Sequence, residues 1–166
     1  MKNKLLRRSK TIYILLSILF LGCVKNKNDN SFYDKVIYYH SNFYKLPGPP
    51  DNSKRFEVYY SDFVNEKDKT NYKKLSQFGF IERKINNEFS SKIDSFFINK
   101  NPGKYFPNYK CLECYQDILL FYKKEKIIGI AKFDFKCNKY CFTNFESNKK
   151  RYLKKDCLQY NYLLKK

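Results

Sequence analysis

One histidine, one methionine, no tryptophan and five glycines leave few chemistries open to this 166-residue chain. Gly48, Gly79, Gly103 and Gly129 are scattered singly beyond residue 22, so no glycine-rich loop exists to cradle a nucleotide. Gly-x-Ser-x-Gly, His-Glu-x-x-His and phosphate-loop patterns are absent. His40 has no recognisable partner in sequence, which points to a structural or surface role. Acids number 16 against 34 bases and show no paired acid/base signature. Asp62, Glu66 and Asp68 lack the spacing and glycine of a calcium loop. No apolar run approaches the roughly 20 residues that a membrane-spanning helix requires.

The bases are abundant and dispersed. Of the +18 formal charge, five units come from Lys2, Lys4, Arg7, Arg8 and Lys10, and the remainder of the chain carries about +13. Lysine supplies 29 of the 34 bases, and Asn, Ile, Phe and Tyr are heavily used. These are residues of A/T-rich codons, so base composition accounts for the lysine coat without a selected polyanion site. No compact Arg/Lys block marks a nucleic-acid reader. Weak, non-specific affinity for anionic surfaces is the expectation, with no specific nucleic acid as partner.

Residues 1–22 have the form of a lipoprotein signal peptide. A basic segment ends at Lys10, and residues 11–22 form an apolar run that suits a signal-peptide core. Phe20-Leu21-Gly22-Cys23 resembles a bacterial lipobox, in which a small residue precedes the cysteine to be lipidated. Cys23 is therefore the expected lipidation site. Residues 23–31 form the lipidated N-terminus and a polar tether (Lys25, Asn26, Lys27, Asn28, Asp29, Asn30), and residues 32–166 form one domain.

Sixteen Phe and sixteen Tyr imply an aromatic core. Buried tyrosine hydroxyls need partners, which favours a half-exposed sheet. Residues 36–44 and 55–60 alternate as strands around a loop containing Pro47, Pro49 and Pro50. Thr70 or Asn71 can cap a short helix carrying Leu75 and Phe78, with Gly79 at its C′ position. Residues 80–85 suit an extended segment. Asn86 or Asn87 can cap a second helix, in which Phe89, Ile93, Phe96 and Phe97 share a face. Residues 99–108 form a loop. The tail from Lys149 reads as a helix with Leu153, Cys157, Tyr160 and Leu164 as its stripe. The fold class is α+β: an antiparallel sheet, a Cys-rich C-terminal β-hairpin and two to three short helices.

That hairpin holds four of the six cysteines. Residues 118–122 and 127–135 are rich in aromatic and β-branched side chains, and Lys123-Lys124-Glu125-Lys126 separates them. Ile127, Gly129, Ala131, Phe133, Phe135 and Cys137 share one face, and Lys132, Asp134 and Lys136 take the other. Symmetric closure with Tyr122 opposite Ile127 makes Cys114 and Cys137 diagonal neighbours on the buried face, with Cys111 and Cys141 just beyond. At least one structural disulfide should join the Cys111/Cys114 end to the Cys137/Cys141 end. The spacing of Cys111, Cys114, Cys137 and Cys141 also suits a four-thiolate zinc site, the one cofactor the sequence suggests. A redox-active Cys111/Cys114 pair is a third reading, disfavoured by Glu113 and a strand setting. Cys157 is a small core residue.

Cys114-Tyr115, Phe121-Tyr122, Ile128-Gly129 and the returning Cys137 resemble the cysteine-bearing hairpin of small uncharacterised bacterial lipoproteins from lysine- and asparagine-rich proteomes. The resemblance implies a membrane lipoprotein and carries no assigned activity. The expectation is a lipid-anchored protein of the bacterial cell envelope, facing the periplasm or exterior and serving as a binding or structural module. The alternative is an envelope thiol–disulfide or zinc-dependent enzyme using the Cys111–Cys141 cluster.

Overall fold

The computed structural model describes residues 32–42, 53–85, 89, 92–98, 111, 114–147, 150–155 and 157–164. Cys23, the apolar run of residues 11–22, Asn86 and Asn87, and the loop of residues 99–108 lie outside them. Residues Phe32–Lys166 constitute one compact unit. Its elements are β1 (Lys35–Ser41), α1 (Ser53–Tyr60), a 3-10 helix (Glu66–Phe78), β2 (Phe80–Arg83), α2 (Ser95–Ile98), β3 (Asp117–Lys123), β4 (Lys126–Asp134), β5 (Lys139–Asn144), β6 (Lys150–Lys155) and α3 (Leu158–Leu164). Six antiparallel strands lie in the order β2-β1-β3-β4-β5-β6. The fold is α+β with a cysteine-bearing hairpin, as the sequence indicates. Among the described residues no helix is long and apolar enough to cross a membrane.

The central strands are covered on both faces, contrary to the half-exposed sheet expected. One face sets Tyr38, Leu119, Phe121, Ala131, Phe133 and Phe142 against Phe89, Ile93, Phe96 and Phe97, and against Cys157, Tyr160 and Leu164 of the C-terminal segment. The opposite face sets Ile118, Leu120, Ile127 and Ile130 against Val58 and Tyr59 of α1 and Tyr72 and Leu75 of the 3-10 helix. Two-sided burial explains why residues 118–121 form an unbroken apolar run where a half-exposed strand would alternate. Gly129 lies where the layers are tightest. A Cβ there would stand 3.0 Å from the Phe142 ring and 3.3 Å from Phe97.

Several elements differ from the sequence expectation for identifiable reasons. Residues 55–60 belong to a helix, because burial falls on the consecutive Val58 and Tyr59 while Phe56 stacks on Tyr60 four residues later at 4.7 Å. The 3-10 helix begins at Glu66, ahead of Thr70, although Gly79 does terminate it in the left-handed region at φ 90°. Residues 139–144 and 150–155 are strands, and the C-terminal helix begins only at Leu158. Asn138 stops the chain for that helix, its side-chain oxygen accepting the Cys157 and Leu158 N–H groups at 2.7 and 3.2 Å. Cys157, Tyr160 and Leu164 are buried as expected, but Leu153 sits in β6 opposite Cys141.

The hairpin closes through Lys124 and Glu125, both at positive φ (46° and 62°), as a two-residue turn requires. Neither residue favours that region, and Asp34 supports it by accepting the Lys124 N–H at 2.7 Å. Tyr122 faces Ile127 as expected, but Phe121 faces Gly129, so the register shifts by one residue at a bulge. Ile127 thus joins the α1 face while Gly129, Ala131 and Phe133 line the α2 face.

Candidate functional site

The bulge decides which cysteines meet. With Asp117 opposite Phe133, Cys114 falls on the side of Lys132 and Asp134, one residue out of phase with Cys137. Cys137 pairs with Cys111 instead, in a disulfide with Cα atoms 5.9 Å apart. The bridge joins the two predicted ends; the diagonal Cys114–Cys137 contact expected from symmetric closure does not form it. Asp134, buried at the end of β4, clamps the same corner by accepting the Cys114 N–H at 2.8 Å and the Cys137 N–H at 3.0 Å. Cys114 is a half-buried thiol, pushed up to about 11 by burial and by the Asp134 carboxylate. Cys141 lies in the middle of β5, directly opposite Lys132, away from the open end of the hairpin. The arrangement brings two of the four cysteines into a bond and leaves the others on the α1 side. Among the described residues no three His, Cys, Asp or Glu side chains form a group suited to a metal ion.

Alternation sets Lys132 on the face opposite Ala131 and Phe133, and there it is completely buried. Its ammonium donates to the carbonyls of Ser61 and Glu57, just after and within α1. It also stands 4.6 Å from the centre of the Tyr115 ring and 5.8 Å from that of Tyr72. Tyr115 donates to Asp62 at 2.6 Å, and Lys139, also buried, pairs with the same carboxylate at 2.8 Å. Two buried polar atoms of this region, the Tyr72 hydroxyl and Glu57 Oε1, have no hydrogen-bond partner among the described residues. Burial lowers Lys132 from its ordinary 10.5 to about 8, opposed by Cys141, Asp62 and Glu57. Burial raises Cys141 from 9.0 to about 11, with Lys132 and Tyr115 opposing. The only legible signal of this cluster was the interruption of an apolar strand by Lys132.

These shifts make stability depend on pH with a definite sign. From pH 8 to 10.5 the unfolded chain still holds the Lys132 proton that the folded chain has released, so stability rises. From pH 9 to 11 the folded chain retains the Cys114 and Cys141 protons that the unfolded chain loses, so stability falls. Urea midpoints should therefore climb between pH 8 and 9 and turn over above it. Lys132→Met should abolish the climb and keep the fall. A climb persisting in that variant would assign it to another group.

A second polar group occupies the α2 face. Asp117, buried at the start of β3, accepts from the Tyr38 hydroxyl at 2.6 Å and contacts His40 Nδ1 at 2.7 Å. His40 is partly exposed, and its partner came from a strand 77 residues away, which is why the sequence hid it. Ser41 points to the other face and bonds the Tyr59 hydroxyl at 2.5 Å, so the neighbouring serine does not join the His–Asp pair.

At the hairpin turn a surface cleft of about 460 Å³ is lined by Lys69, Lys123, Lys124, Lys126, Ile127, Ile128, Phe145 and Glu146. Lys69 lies 4.6 Å from the centre of the Phe145 ring, and Lys123 pairs loosely with Glu146 at 3.4 Å. The exposed Lys123–Glu146 pair contributes little to stability, while the partly buried Lys69 is already paired with Glu66 at 2.6 Å. The first described residues meet this same end, since Asp34 donates its N–H to the Tyr122 carbonyl at 2.7 Å. No protein-family model matches the chain, and neither a curated protein nor a solved structure matches it.

Proposed function

We propose that the chain is a lipid-anchored bacterial cell-envelope protein, held through Cys23 and serving as a binding or structural module. The observation that carries this reading is the Cys111–Cys137 disulfide. Such bonds persist outside the reducing cytoplasm, where a signal peptide ending at Gly22, just ahead of Cys23, would deliver the domain. An envelope thiol–disulfide or zinc enzyme is the weaker reading. Cys111 and Cys137 are bonded to each other, and Cys114 and Cys141 are held largely protonated, which disfavours a nucleophilic thiolate. Anionic groups of the envelope are the proposed weak ligands, attracted by a mature chain of about +13 and by the lysine-lined cleft at the hairpin turn.

The anchor is tested by Cys23→Ser in cells fed a traceable fatty acid. Labelling of the wild-type chain should vanish in the variant, and the domain should leave the membrane fraction, because stable residence requires more than one acyl chain or equivalent signal. Unchanged labelling would defeat the proposal.

A further inference from the structure

Lys132 and Cys141 are directly opposed across β4 and β5, so their side chains leave the sheet on the same face. Both are buried, and Cys141 is a free thiol. Both rest on one aromatic side chain: the ammonium lies 4.6 Å from the Tyr115 ring centre, and Cys141 packs with Tyr115 in one buried cluster. An amine and a thiol are thus confined together beneath α1, both shielded from solvent. We propose that Lys132 and Cys141 form an oxidation site, in which dioxygen converts the pair into a covalent Nζ–O–Sγ bridge.

The reaction balances with dioxygen as the only co-reactant. One oxygen atom ends between nitrogen and sulfur; the other leaves as water, carrying one amine hydrogen and the thiol hydrogen. Nitrogen and sulfur each give up two electrons, and dioxygen accepts all four. The amine must be unprotonated to react, and burial favours that form by lowering Lys132 to about 8. The bridge would tie β4 to β5 and remove a buried charge. Excess dithiol would return both side chains and release the oxygen as water. Cys114 is only half-buried and lies outside the strand pairing, so it lacks this confinement.

The test compares air-exposed wild-type protein with protein kept under strict reduction, each denatured, alkylated, digested and mapped by mass. In the exposed sample, the peptides bearing Lys132 and Cys141 should be joined, heavier than their sum by one oxygen and lighter by two hydrogens. Cys141→Ala should lose the joined species while keeping the Cys111–Cys137 bridge. The oxidised wild-type protein should also lose the rise in stability between pH 8 and 9. Cys141 fully alkylated after exposure, or an added oxygen on Cys141 alone without the link, would overturn the proposal. Because the decisive measurement uses the wild-type chain, failure of a variant to fold does not obscure it.

Discussion

Truncating Phe96 to alanine should destabilise the domain by about 3–5 kcal/mol, the range for an aromatic side chain lost from a packed core. Phe96 is the hub of the α2 face. Its ring lies within 6.4 Å, centre to centre, of Phe89, Phe121, Phe133, Tyr140, Phe142 and Tyr160, which come from four strands or helices and the segment before α2. Four of those contacts are with strands β3, β4 and β5, so the vacated volume cannot close by moving one neighbour. Ile81→Ala provides the contrast. Ile81 is 60% exposed on the edge strand β2, and its loss should shift stability by no more than about 0.5 kcal/mol. Chemical denaturation of both variants decides the matter: comparable losses would mean that α2 does not seal this face as described.

Opening the Cys111–Cys137 bridge should cost about 3–4 kcal/mol in the chain-entropy account, given a sequence separation of 26 residues. The domain should nonetheless remain folded. Both faces of the sheet carry their own apolar layer, and Asp134 still ties the Cys114 and Cys137 backbones when the bond is gone. Paired Cys111→Ser and Cys137→Ser substitutions should lower the urea midpoint and leave the far-ultraviolet spectrum essentially unchanged. A midpoint identical to that of the oxidised wild-type chain would show that the corner contributes no constraint. Complete loss of structure would show that the two cores cannot hold the sheet alone.

Local periodicity and turn chemistry were enough to determine the β3–β4 hairpin, the α+β class, Gly79 as a helix terminator, and the shared burial of Phe89, Ile93, Phe96 and Phe97. Each depends on residues close together in the chain, where side-chain direction follows from backbone geometry. The ends joined by the disulfide were legible for the same reason. Its partners were not, because a one-residue bulge at Ile128 exchanges the faces of everything beyond it, and the one local hint, Gly129 inside the strand, fits an unbulged strand as well. The same limit applies to Lys132 and Asp134. Alternation separated them correctly from Ala131 and Phe133, but only α1 and the 3-10 helix, folding over the second face, turned that polar side into interior. Tertiary packing also made a helix of residues 53–60 and strands of residues 139–144 and 150–155, since short segments with mixed patterns take the form their neighbours leave open. His40 met Asp117, and Lys132 met Cys141, through strand pairing across the sheet. Chain proximity determined the elements; the order and register of six strands decided which reactive side chains share a face, because that is a property of pairs of segments and is written in neither one alone.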